Sequence, residues 1–210
     1  MNYTRYNPGT TRSSVLAAIR DPGNQSAWER FFDQYAGYIY ALAVRRGLRH
    51  ADAEDVVQTV LVEVADKIRS FEYSREKGHF HAWLANAALF RIRDLQRANA
   101  RRNAAPPGPL PADAAAPDAF AAMAEEEWLD LVRQRALERL RAEISLRQFE
   151  LFHASVIAEW PTEKVMQVYG ASRDAVYQAR HRVLPAYQAA LLAVRDELDE
   201  PPALPPAPRP

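Results

Sequence analysis

The sequence predicts an all-α fold, two small helical domains joined by a Pro/Ala-rich linker, and three observations support it. Apolar residues recur at helical spacing through most of the chain, and no stretch sustains the alternation of a strand. The interruption is "AAPPGPLPADAAAPDAFAAMA", residues 104–124, whose five prolines and lack of any base suit an extended segment rather than a packed core. Charge divides along the same lines. Residues 1–103 carry 16 Lys and Arg against 11 Asp and Glu, residues 104–130 carry six acids and no base, and residues 131–194 carry nine bases against six acids. A net charge of zero thus conceals two basic blocks around an acidic one, and binding follows local rather than net charge. The expected layout is a first domain over 1–103, a flexible linker over 104–124, a second domain over 125–194 and a disordered Pro-rich tail over 195–210.

Each element has its own signal. Trp28 to Arg46 places Phe31, Phe32, Tyr35, Ile39, Leu42 and Ala43 on one face, and Gly47 stops the helix. Asp52 to Ser70 does the same with Val56, Val57, Val60, Leu61, Val64 and Ile68. A third helix, from about Ala82, carries the stripe Leu84, Ala87, Ala88, Ile92 and Leu95. Glu125–Glu143 and Leu146–Glu159 read as further helices. No apolar run approaches the roughly 18 residues of a membrane span, and the N-terminal stretch has no secretion-type apolar core. With no cysteine, disulfides and thiolate metal sites are excluded. A cytoplasmic location is expected.

Two helix faces ask for an explanation. On the second helix Asp52, Asp55, Thr59, Glu63 and Asp66 form one stripe with Gln58 and Val62 beside it, which is either a solvated face or a docking surface for a basic partner. On the third, Trp83, Asn86, Phe90, Arg93 and Arg97 lie away from the apolar stripe, with Arg101 and Arg102 beyond. The loop before it carries Phe71, Tyr73 and Phe80. Aromatics interleaved with arginines suit unpaired DNA, because bases stack on rings while arginines hold phosphates. The ordinary alternative is that Phe80 and Trp83 are core. His79 and His81, with no cysteine or placed carboxylate, make no metal site.

"EWPTEKVMQVYGASRDAVYQARHRVLP" parses as helix, tight turn, helix. Thr162 can cap the first helix, Val165, Val168 and Tyr169 point inward, and Gly170 takes the left-handed position. Ser172 caps the second helix, where Val176, Ala179 and Val183 face the core while Asp174, Tyr177, Gln178 and His181 face outward, flanked by Arg173 and Arg182. This is the helix-turn-helix layout, whose second helix enters the major groove; Gln suits adenine, Arg suits guanine, and Asp can accept from cytosine.

In combination, "DAEDVVQTVLVEV" followed by "FEYSREKGHFHAWLANAALFRIRDLQR" closely resembles the promoter-melting domain of bacterial extracytoplasmic-function sigma factors, of the sigma-70 family. "AWERFFDQYAGYIYALAVRRGL" fits that family's first helix, and "EKVMQVYGASRDAVYQARHRV" resembles its domain that reads the −35 element. The resemblance covers about residues 26–103 and 126–190. It implies that 1–103 is sigma region 2 and 125–194 is region 4. It implies a specificity subunit with no catalytic site, no cofactor and no metal. Its partners would be core RNA polymerase, through the β′ clamp helices, and promoter DNA. An anti-sigma factor, a kinase and the Pro-rich tail stay open as candidate regulators, with no membrane partner and a nucleoid-associated location expected. Asp52, Glu54, Asp55, Gln58, Thr59, Val62 and Glu63 would bind polymerase. Phe71, Tyr73, Phe80, Trp83, Asn86, Phe90, Arg93 and Arg97 would capture and melt the −10 element. Ser172, Arg173, Asp174, Tyr177, Gln178, His181 and Arg182 would read −35. An extended linker of ~21 residues at ~3.1 Å each reaches roughly 65 Å, close to the ~70 Å of two DNA turns between the elements.

The sequence departs from the family at Thr59, where a carboxylate is usual, and phosphorylation there would restore negative charge. Asn86, Leu89, Tyr177 and Ala179 stand where bases are usual, and Phe90 where an asparagine is usual, so the promoter sequence does not carry over. The rival readings are a free-standing helix-turn-helix regulator that ignores polymerase, and an enzyme. The first leaves the acidic stripe without a role; the second lacks any Walker loop, His-Glu-x-x-His or nucleophile elbow.

Overall fold

The structure is a computed structural model that describes residues 18–68, 79–102 and 117–199. Every extended element among them is helical: α1 (Gln25–Arg45), α2 (His50–Lys67), α3 (Phe80–Arg102), α4 (Pro117–Glu143), α5 (Leu146–Phe152), a π-helical turn (His153–Ile157), α6 (Thr162–Tyr169) and α7 (Arg173–Asp199). Phe71, Tyr73, residues 103–116 of the expected linker and residues 200–210 of the expected tail lie outside the described residues. No described helix is long and apolar enough to cross a membrane. The chain divides into two compact units, one running to Trp128 and the other Leu129–Leu198.

In the first unit α1, α2 and α3 pack on one another. Asn24 caps α1 by accepting from the Ala27 N–H, and Gly47 ends it at φ +81°, where a Cβ would be strained. The buried face of α1 is Ala27, Phe31, Tyr35, Tyr38, Ile39, Leu42 and Ala43; that of α2 is Ala53, Val56, Val57, Val60 and Val64. α3 contributes Leu84, Ala85, Ala88, Leu89 and Ile92. Phe32, expected inside, is part-exposed at the edge of α1.

The expected linker is corrected in its second part. Residues 117–124 are the start of α4, not an extended segment. Pro117 stands at the first helical position, where its missing N–H and fixed φ cost nothing. Asp118 follows in the first turn, and the alanines behind it have the highest helix propensity. Phe120, Ala124 and Trp128, four residues apart, bury one face of this stretch.

In the second unit α4 continues with Val132, Ala136 and Leu140 buried. A capping box starts α5, with Ser145 accepting from Gln148 N–H and the Gln148 side chain accepting from Ser145 N–H. Leu151, Ala154, Val165, Val176 and Ala179 make the core around which α5, α6 and α7 meet. Along α7 the buried line continues through Val183, Tyr187, Ala190, Val194 and Leu198, past Pro185 and beyond the expected end at 194.

Candidate functional site

Three surfaces carry the polar residues that the sequence singles out. The first is the outer ridge of α2. Glu54, Asp55, Gln58, Thr59 and Asp66 are exposed, and Val62, a large apolar residue 62% exposed, sits among them. The Thr59 hydroxyl donates to the Asp55 carbonyl at 2.8 Å, the local bond a helical threonine makes to the turn before it. His50 Nε2 lies 3.5 Å from Glu54. The two ends of the expected stripe differ from its middle. Asp52 is half-buried, 3.3 Å from Arg49 and within 3.5 Å of the Asn99 amide on α3. Glu63 is held by Lys67 and, 3.3 Å away, by Arg91 of α3. Asp52 and Glu63 therefore tie α2 to α3, and the presented acid is Asp55, with Glu54 and Asp66 on either side.

The Lys67 hydrogen bond first, then the charges of Lys67 and Arg91, hold the Glu63 carboxyl below its ordinary value against the opposing effect of burial. A depressed carboxyl contributes stability that is present above its unfolded value, near 4.3, and is lost as pH falls through the folded value. Lys67 and Arg91 are well exposed, so solvent screening keeps the contribution under about 1 kcal/mol. Urea unfolding between pH 6 and pH 3 is expected to show this loss in the wild type and not in Glu63→Gln.

Beside the ridge a groove of about 590 Å³ opens between α1 and α2, lined by Trp28, Phe32, Leu61, Val62 and Ala65 with Gln25, Glu29 and Asp33 at its rim. Val62 belongs to both groove and ridge. The pairing of Trp28 with Phe32 at i,i+4 was the sequence signal for it.

The second surface is the outer face of α3. Asn86, Phe90 and Arg97 are exposed, Phe90 by 65%, and Trp83 and Arg93 are half-buried on the same side. Phe80 is not on it. It is 1% exposed, with ring centroids 6.1 Å from Phe31 and 5.5 Å from Tyr35, and is corrected to a core residue. As the first residue of α3 it turns under the helix instead of out of the loop.

The third surface is the outer face of α7 behind the turn. Gly170 is left-handed at φ +58°, and the Ala171 N–H closes on the Met166 carbonyl at 3.1 Å. Ser172 Oγ accepts from Ala175 N–H at 3.1 Å, so its side chain is committed to the cap. Thr162 does not cap α6: Pro161 occupies the capping position with no side-chain bond, and Thr162 is the first helical residue. Val168 is exposed, not inward, because a two-turn helix rotates only Val165 fully into the core. Arg173, Asp174, Tyr177, Gln178, His181 and Arg182 all face solvent. Within that row Tyr177 and His181 lie ring to ring at 4.2 Å, and Arg173 meets Glu163 at 2.8 Å.

Residues 31–102 match the family model of sigma-70 region 2. Over those residues this helical unit is similar to sigma-70 region 2. The match takes in α1 from Phe31, all of α2 and all of α3, and so includes the first two surfaces. Among solved structures, similar chains come from the complex of CnrH with the cytosolic domain of CnrY and from the RsbN–BldN complex. The first is 23% identical, covers 85% of this chain and 96% of its own, and has a TM-score of 0.34. For the second the values are 18%, 83%, 97% and 0.33. No curated protein matches the chain.

The first unit contains one constellation that the sequence does not announce. Trp128 is 1% exposed and lies parallel to the His81 ring, centroids 4.3 Å apart. His81, itself buried, places Nε2 3.1 Å from Glu125, and Arg45 forks onto Glu126 and Glu127 at 2.7 Å each. The signal was the i, i+4, i+8 spacing of Phe120, Ala124 and Trp128, obscured by five prolines nearby. Among the described residues no group of three or more His, Asp or Glu could hold a metal ion.

Proposed function

We propose that the protein is a sigma factor of the extracytoplasmic-function type, which binds core RNA polymerase and directs initiation at its promoters. The observation that carries the reading is the match of residues 31–102 to sigma-70 region 2, on a chain that also holds a helix-turn-helix with a solvent-facing outer row. In this reading Asp55, Gln58 and Val62 dock on the β′ clamp helices: the acid meets a basic partner, and Val62 supplies the apolar centre of a polar patch. Glu54 and Thr59 flank them. Trp83, Asn86, Phe90, Arg93 and Arg97 take the melted −10 strand, Phe90 as a stacking platform and the arginines on phosphates. Arg173, Asp174, Tyr177, Gln178, His181 and Arg182 read the −35 element in the major groove. The protein itself performs no catalysis and works in the cytoplasm as a subunit of an enzyme.

Gel filtration of the purified chain with core polymerase tests the reading. Co-elution at one copy per polymerase supports it, and separate elution at micromolar concentrations removes it. Gln178→Ala is expected to weaken discrimination at a single −35 position by about 1–3 kcal/mol, read by transcription from a set of −35 variants. Equal preference across the set would take Gln178 out of the reading row.

Regulation at Thr59 belongs to the same proposal. A phosphate there adds nearly two negative charges beside Asp55, on a side chain already exposed. Thr59→Glu is expected to bind core polymerase more tightly than Thr59→Ala, and equal affinities would dismiss a phosphorylation switch.

A further inference from the structure

We propose that Glu163, on the first helix of the helix-turn-helix, is a positioning residue for Arg173: it holds the guanidinium at the angle from which it reads one guanine of the −35 element. This assignment rests on the reading of the motif as the part that binds −35 DNA. Arg173 is the first residue of α7, and Glu163 lies in the first turn of α6. Arg173 Nη2 donates to the Glu163 carboxylate at 2.8 Å, and the two side chains are 69% and 70% exposed. The backbones beneath the pair are fixed. Val165, two residues after Glu163, and Val176, three after Arg173, belong to one buried core. The left-handed Gly170, the Ala171 N–H on the Met166 carbonyl and the Ser172 cap set the turn between the helices. From α5 the Arg147 guanidinium donates to the Tyr169 carbonyl at 2.5 Å, so the end of α6 is held on that side too.

The pair adds little to stability. Ion pairs this exposed contribute little, and a cation at the start of a helix opposes the helix dipole; the favourable charge in that turn is Asp174. Nor does the arrangement suit a phosphate contact. An acid beside a phosphate-binding arginine weakens binding to every DNA sequence alike, because it offsets the charge that displaces counterions. What it does suit is the edge of a guanine. There two N–H groups must meet O6 and N7 together, and a long side chain ordered beforehand loses less freedom on binding. The bond to Glu163 takes one of the five N–H groups of a guanidinium, which leaves enough for a two-pronged contact. Glu163 thus lowers affinity in general and sharpens preference at one base pair.

Selection from a pool of promoter fragments randomised over the −35 element tests this, with the full chain bound to core polymerase. Wild type is expected to enrich one motif containing a guanine that Arg173→Ala no longer distinguishes. Glu163→Ala is expected to lower the preference for that guanine about 3- to 10-fold. It should leave the other positions unchanged and bind the pool at least as tightly as wild type. Glu163→Gln, which keeps an acceptor oxygen, falls between. In an Arg173→Ala background the loss of Glu163 changes no preference further, and the unfolding midpoint of Glu163→Ala stays close to that of wild type. Three results overturn the positioning role and leave the −35 reading intact: Glu163→Ala enriches the wild-type motif at wild-type strength, its effect persists without Arg173, or Arg173→Ala keeps every preference. A wild-type complex that enriches no motif overturns that reading and the role of Glu163 with it.

Discussion

Phe80→Ala is expected to destabilise the first unit by about 3–5 kcal/mol, the cost of removing a buried aromatic and leaving a cavity. Phe80 closes the core between Phe31 and Tyr35 and stacks on Trp83 at 5.6 Å, so its loss removes contacts on three sides. Chemical denaturation gives the magnitude. The same residue would have been assigned to DNA from its place in an aromatic loop, and a paired variant separates the roles. Phe80→Leu keeps most of the volume, costs under about 1.5 kcal/mol and is expected to preserve −10 preference. Phe90→Ala, at a solvent-facing position of the same helix, is expected to change stability by less than about 0.5 kcal/mol and to impair promoter opening. A folded Phe80→Leu protein that has lost its −10 preference would return Phe80 to the DNA surface.

The second large effect is on polymerase. Asp55→Lys combined with Gln58→Ala is expected to weaken core binding by about 2–4 kcal/mol, roughly 30- to 1000-fold, because a reversed charge faces the basic partner and a hydrogen-bonding amide is lost. Both positions are exposed on the outer ridge of α2, and the Thr59 bond to the Asp55 backbone survives the change. Helicity and unfolding midpoint should therefore stay close to wild type. Asp52→Ala and Glu63→Ala give the contrast. Their side chains bond to α3, so they are expected to lower stability more than affinity. Fluorescence anisotropy with labelled protein measures the three variants beside wild type, and equal affinity across them would remove the ridge as the docking site.

What was legible in the sequence was local. The 3.6-residue period placed α1, α2 and α3, Gly47 marked the end of α1, and Gly170 and Ser172 marked the turn from α6 to α7, because each performs its task within a few residues of itself. What was not legible depended on distant partners. Nothing in a helical wheel of α2 distinguishes Asp52 and Glu63 from Asp55; the difference is that Asn99 and Arg91 arrive from α3. Val168 looked inward because a two-turn helix offers too few residues to fix its rotation. The helix beginning at Pro117 was hidden because proline signals both an extended linker and a helix start. Only the partner surface on α1, reached through Phe120 and Trp128, decides between them.

The most direct measurement is transcription from a library of promoter fragments by core RNA polymerase, with and without this protein. New start sites are expected that appear only with the protein, share one −35 and one −10 sequence, and vanish with Asp55→Lys. DNA binding by the protein alone, with no polymerase recruited and no start site gained, would contradict it and leave a free-standing helix-turn-helix regulator.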